Sequence, residues 1–128
     1  MRSRRGYTVL ELLTVVAITG VLAATALNNY KAQAMRAKRV EAVMGLSTVW
    51  KAEMSYFAEH SKFAPTLDQI DFQLEGGKRL SATSYQGARY VFQISQPWGT
   101  GSFYCIATAN LDDDAWPDVL EIYNQGTN

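Results

Sequence analysis

From Tyr7 to Leu27 the chain is apolar apart from Thr8, Glu11, Thr14, Thr19 and Thr25, and no proline interrupts it. As a helix rising about 1.5 Å per residue, this stretch spans roughly 30 Å, the thickness of a bilayer core. A cleavable secretory signal would have a shorter apolar run ending in small residues, a reading that Ala23, Ala24 and Ala26 keep open. Arg2, Arg4 and Arg5 precede the stretch and no basic residue lies within it. That bias places the N-terminus in the cytoplasm and everything after Leu27 outside the inner membrane.

Glu11 is the exception within the span. A carboxylate there costs about 2.5 to 3.5 kcal/mol on insertion scales and is normally paired or functional. Two readings follow from its position near the cytoplasmic edge. Either it reaches the headgroup region, or it awaits a cationic partner inside an assembly.

Charge supplies the next constraint. The formal net charge is zero, yet residues 61–128 carry four basic side chains against eight acidic ones, while both preceding stretches are net positive. An acidic C-terminal half argues against a nucleic-acid platform, which needs clustered Lys and Arg. The basic run from Arg36 to Arg39 reads as a solvated or subunit-facing helix surface. Cys105 is the sole cysteine, so no intramolecular disulfide can form, and its place in an alternating apolar stretch predicts a buried thiol.

The residues Arg5-Gly6-Tyr7-Thr8-Val9-Leu10-Glu11, followed by Leu12-Leu13-Thr14-Val15-Val16-Ala17-Ile18, resemble the class III signal of type IV prepilins. The shared features are a short basic leader ending in Gly, an aromatic residue after it, a Glu four residues later and an unbroken apolar helix. The resemblance implies cleavage between Gly6 and Tyr7 by a membrane aspartyl prepilin peptidase, N-methylation of the new terminus, and an assembly role for Glu11 as the neutraliser of a neighbouring subunit's amino terminus. Such a buried pair would set axial register more than it would add stability. Asn28 stands where many major pilins have a helix-kinking Pro.

The helical pattern continues to about His60, with Val40, Val43, Trp50, Met54 and Phe57 as its apolar stripe and Ser47 interrupting it. Thr66 to Gln69 has capping-box spacing within an otherwise irregular segment reaching about Gly87. Then Tyr90, Phe92 and Ile94 alternate as one strand, Phe103 to Ala109 as a second and Val119 to Tyr123 as a third, with Gln96 to Gly101 as a turn.

The expected fold class is α+β: a long N-terminal helix packed against a C-terminal antiparallel sheet, the ladle-shaped pilin fold by resemblance. Its parts are a leader at 1–6, a transmembrane and polymerisation helix at 7–27, an amphipathic helix at 28–60, a variable loop region at 61–87, and the sheet with an acidic loop at 88–128.

That acidic loop offers site chemistry. Asn110, Asp112, Asp114, Asp118 and Glu121 fall at positions one, three, five, nine and twelve of a window with EF-hand spacing, a pattern of hard oxygen ligands suited to Ca²⁺. Against it, Ala115 stands where the sharp turn wants Gly. The alternative is an Asp-rich turn whose side chains cap backbone N–H groups. No cofactor is otherwise required.

No nucleophile–base pair and no Gly-rich phosphate loop emerges, so the sequence predicts a non-enzyme. The function that resemblance and residues imply is a structural subunit of a type IV pilus, major or minor, supporting motility, adhesion or DNA uptake. Its partners would be other pilins in a homo- or hetero-oligomer, the prepilin peptidase, the inner-membrane assembly machinery and, during biogenesis, the membrane itself, with no specific nucleic acid. It would start as an inner-membrane precursor and end in an extracellular pilus. The alternatives are a type II secretion pseudopilin and a lone membrane-anchored periplasmic binding module.

Overall fold

The computed structural model describes residues 8–111 and 114–125. One helix, α1, runs from Val9 to His60, followed by β1 (Lys78–Ser81), β2 (Ser84–Gln86), β3 (Val91–Ser95), β4 (Phe103–Ala109) and β5 (Asp118–Asn124). The architecture is α+β, and the five strands form one antiparallel sheet in the order of the chain. Consecutive antiparallel neighbours need only short turns. The chain divides into two compact units, residues 1–36 and 37–128.

In the first unit α1 is uninterrupted at Gly20 and at Asn28. The threonine hydroxyls inside the apolar stretch bond back to carbonyls of their own helix: Thr14 to Glu11 at 2.8 Å, Thr19 to Val15 and Val16, and Thr25 to Leu22 at 3.0 Å. Each hydroxyl is thereby satisfied within the helix, as an apolar surrounding requires.

In the second unit α1 buries Ala42, Gly45, Leu46, Val49 and Glu53, spaced three and four residues apart. Of the expected stripe, Trp50 and Met54 pack against this core and the rest lies outside it. Val40 and Val43 are about half exposed and Phe57 is also exposed. The physical reason is close approach. The Phe92 ring lies so near the helix that a Cβ on Gly45 would sit 2.3 Å from its Cζ. Small residues, Ala42 and Gly45, line the closest approach, with Leu46 and Val49 buried beside them and Trp50 and Met54 packed against the core.

The sheet presents Phe92 and Ile94 of β3, and Phe103, Cys105 and Ala107 of β4, to that stripe, with Phe92 opposite Ala107 and Ile94 opposite Cys105. Alternation along β4 is complete, buried and half-buried residues changing at every step. Between helix and sheet edge, residues 61–77 close the core through Phe63, Leu67 and Phe72. Their rings lie 5.0 Å from Phe103 for Phe63 and 5.5 Å from Phe92 for Phe72, in tilted geometry. Helix α1 stops at His60 because Ser61 adopts a left-handed φ of 53°, its N–H still bonded to the Phe57 carbonyl.

Residues 61–87 are not irregular throughout. The β1–β2 hairpin falls within them, while Thr66 to Gln69 forms a turn rather than a helix and Gln69 accepts a bond from the Tyr56 hydroxyl.

Candidate functional site

The N-terminal end of α1 is a capping box. The Thr8 hydroxyl accepts from the Glu11 N–H at 3.3 Å, and the Glu11 carboxylate accepts from the Thr8 N–H at 2.8 Å and from its hydroxyl at 3.2 Å. Reciprocal bonds of this kind satisfy two of the four N–H groups that a helix start leaves open. The spacing Thr8-x-x-Glu11 ahead of an apolar run is the sequence signal for it. Attention to the charge of Glu11 hides that second role. Gly6 and Tyr7, the expected processing residues, lie outside the described residues.

Beyond the cap, α1 exposes Val9, Leu10, Leu12, Leu13, Val15, Val16, Ile18, Val21, Leu22 and Leu27, each more than half accessible. The helix is long and apolar enough to cross a membrane. A run of exposed large apolar side chains of this extent marks a surface that another apolar phase or molecule covers.

The start of the head is organised by three charged residues of α1. Lys38 Nζ donates to the Leu111 carbonyl at 3.0 Å, and Arg39 donates to Asp118 Oδ1 from Nε at 3.0 Å and from Nη2 at 2.5 Å. Glu41 Oε1 accepts from the N–H groups of Arg89 and Tyr90 at 2.9 and 3.3 Å. The Arg89 guanidinium lies 3.5 Å from Glu41 Oε2. Lys38 and Arg39 thus tie α1 to the β4–β5 connection, while Arg36 and Arg39 remain exposed, as a solvated helix surface would be.

The side chains of the acidic loop have separate engagements. Asn110 Nδ2 donates to the Asp114 carbonyl at 3.0 Å, and Asp114 Oδ1 accepts from the Trp116 N–H at 2.8 Å. Asp118 holds Arg39, and Glu121 accepts from the Tyr104 hydroxyl at 2.8 Å on the outer face of the sheet. That bond, with lesser contributions from burial, raises the Tyr104 pKa. Asp112 lies outside the described residues. Among the described residues no three His, Cys, Asp or Glu side chains converge as metal ligands.

Sequence reasoning passed over Glu53. It sits on the buried stripe of α1, fully inaccessible, with Oε2 accepting from the Ala64 N–H at 2.9 Å and Oε1 without a hydrogen-bond partner among the described residues. Burial pushes its carboxyl up to about 7, the Ala64 bond opposing. Its position four residues after Val49 on the core stripe was the available signal.

A model of the prokaryotic N-terminal methylation motif matches residues 1–27. The type IV major pilin protein PilA of Myxococcus xanthus is 39% identical over 75 residues, which are 59% of this chain and 34% of that protein. The chain therefore spans about a third of that pilin's length. A fimbrial protein of Pseudomonas aeruginosa is 32% identical over 60% of this chain and 50% of its own length. The type II secretion system core protein G of Klebsiella pneumoniae is 30% identical over 103 residues, 78% of this chain and 73% of that protein. No solved structure matches the chain significantly.

A capped, exposed apolar helical segment in the first unit and an α+β second unit define the class of protein. With the methylation motif and these relatives, the chain belongs to the type IV pilin-like family, which takes in pilins and type II secretion pseudopilins.

Proposed function

We propose that the chain is a structural subunit of a type IV pilus, built into a helical filament through the apolar half of α1. The observation that carries this reading is the exposed apolar surface from Val9 to Leu27 behind a cap that contains a carboxylate. A bilayer covers that surface in the precursor. In the filament, the same surface on neighbouring subunits does so.

Cleavage between Gly6 and Tyr7 by the prepilin peptidase would create a positive amino terminus four residues before Glu11. The Glu11 carboxylate would then exchange its bond to the Thr8 N–H for the amino terminus of a neighbour. Two charges that are costly in an apolar interior cancel, and the pairing fixes the axial position of one subunit on the next. The precursor would lie with its N-terminus in the cytoplasm and its head outside, directed by Arg2, Arg4 and Arg5.

The test is to shear surface filaments from cells and probe them for this chain. Gly6→Ala should leave an unprocessed, membrane-inserted precursor and no chain in the sheared fraction. An unprocessed membrane monomer in the parent strain would contradict the proposal.

A second reading, a type II secretion pseudopilin, draws support from the length of the Klebsiella match, which extends over 73% of that protein. Deletion separates the two. Loss of surface filaments with secretion intact favours the pilus, and the reverse favours the pseudopilin.

A further inference from the structure

The face of the sheet turned away from α1 carries an aromatic patch that the filament reading does not use. Tyr104 of β4 and Tyr123 of β5 stand directly opposite each other across the ladder. Trp98, from the turn between β3 and β4, packs on both. Its ring centroid lies 6.5 Å from that of Tyr104 at an interplanar angle of 89°, and 6.2 Å from that of Tyr123 at 60°. Trp98 and Tyr123 are each about half exposed. Large rings gain from burial, so a cluster of them left in solvent marks a surface with a use beyond the fold.

Glu121 adjoins the rings. It stands two residues before Tyr123 on β5 and so on the same face, and its Oε2 accepts from the Tyr104 hydroxyl at 2.8 Å. Donation of that proton enriches the Tyr104 ring in electrons. The other outward positions of β3, β4 and β5 are uncharged, and no Lys or Arg pairs with Glu121 among the described residues.

Three properties of the patch select a ligand. Its charge favours a cation, because aromatic faces are negative and the one carboxylate beside them is unopposed. Its shape favours a compact group: the rings are steeply tilted to one another, so a flat sugar ring could lie on one of them only, whereas a rounded group reaches several. Its hydrogen-bonding capacity is small. A primary ammonium brings three donors, and the one carboxylate at the rings is already engaged by Tyr104. An ammonium whose hydrogens are replaced by methyl groups needs no acceptor and loses least on leaving water. The rim is polar, with Ser95 opposite Tyr104 and Gln93 next on the same face of β3, which suits a small solute rather than a lipid surface.

We propose that Trp98, Tyr104, Tyr123 and Glu121 form a binding site for a small quaternary ammonium compound, the rings contacting its methyl groups and Glu121 balancing its charge. All four residues belong to the second unit, so the site does not depend on whether the chain assembles as a pilin or a pseudopilin.

Nuclear magnetic resonance of the full chain, isotope-labelled at its tryptophan indoles, tests this. The protein is held in micelles of a polyoxyethylene detergent, which offers neither sugar nor ammonium, and titrated with choline chloride against sodium chloride at equal ionic strength. The Trp98 indole signal should move saturably in the millimolar range, while that of Trp50, packed against the core, stays in place. The neutral isostere of choline, with carbon in place of nitrogen, should bind about fivefold more weakly or worse. Glu121→Gln and Tyr123→Thr should each weaken choline binding about threefold or more. Threonine keeps a strand-forming residue at that position, and an unchanged Trp50 signal certifies the folded head. Absence of a saturable shift, equal binding of the neutral isostere, or full affinity in a folded Tyr123→Thr chain overturns the site. So does a Trp98 shift given by maltose or by an added phosphocholine detergent but not by choline, the first pointing to a glycan and the second to a lipid headgroup.

Discussion

Arg39 on the helix and Asp118 at the first position of β5, 79 residues apart in sequence, meet through two hydrogen bonds to a single carboxylate oxygen. Asp118 is largely covered while Arg39 is half exposed, so the pair lies at the boundary of the head rather than in its core. Lys38 holds the Leu111 carbonyl beside it. Helix and sheet are thereby tied at the entrance to the β4–β5 connection, 110–117.

Breaking that tie should loosen the connection more than the fold. Arg39→Ala is expected to destabilise the head by about 0.5 to 1 kcal/mol, the range of partly exposed pairs. High salt should reduce the difference between variant and parent. Denaturant titration of both chains at low and at high salt measures it.

Gly45 sets the distance between α1 and β3. Gly45→Ala would place a methyl group within the van der Waals radius of the Phe92 ring, which is fully buried and has little room to move. The better helix propensity of Ala, about 1 kcal/mol, works in the opposite direction. Overpacking of about 1 to 3 kcal/mol outweighs it in this contact, so a net loss of stability is expected. Gly20→Ala, at a site with no neighbour within 4 Å, is the control, and it should not destabilise. Thermal unfolding of the two variants checks the pair.

For calcium, the described geometry sets a requirement. A cation bound with the EF-hand spacing would share the Asp118 carboxylate with Arg39 and the Glu121 carboxylate with Tyr104. Glu121 also alternates outward along β5, on the sheet face opposite the helix-facing residues. Calorimetric titration of the chain with Ca²⁺ decides the matter, and no heat in the parent rules the site out at useful affinity. Heat that disappears in Asp112→Ala, Asp114→Ala would establish the loop as a site.

How far the sequence could be read follows from the strength of each local pattern. Strands β3, β4 and β5 are legible because Phe92 and Ile94, then Phe103, Cys105 and Ala107, alternate with more exposed neighbours. The β1–β2 hairpin is not: Lys78-Arg79-Leu80-Ser81 and Ser84-Tyr85-Gln86 are too short and polar to show a period, and their pairing carries a register shift. The core face of α1 was displaced because the helix–sheet contact favours Ala42 and Gly45, while Val40, Val43 and Met44 face outward. An acid on the buried face, Glu53, runs against the usual expectation for that residue type. Of the expected site, Glu11 stands in the cap that begins α1. Its capping role emerges only when Thr8 is read with it.

Glu11 caps the helix and, in the proposed filament, carries the assembly charge, and substitution separates the two. Glu11→Gln preserves a capping side chain while removing the charge, and Thr8→Ala removes the cap while preserving the charge. The loss of the cap should cost about 1 kcal/mol of helix stability, which insertion into a bilayer easily tolerates.

The most direct measurement is therefore the amount of this chain in sheared surface filaments from cells expressing the parent, Glu11→Gln or Thr8→Ala protein, each normalised to the chain in the membrane. Filament assembly through the Glu11 charge predicts that Glu11→Gln inserts into the membrane and disappears from the filament fraction, while Thr8→Ala assembles. Parent-like filaments from Glu11→Gln would contradict it.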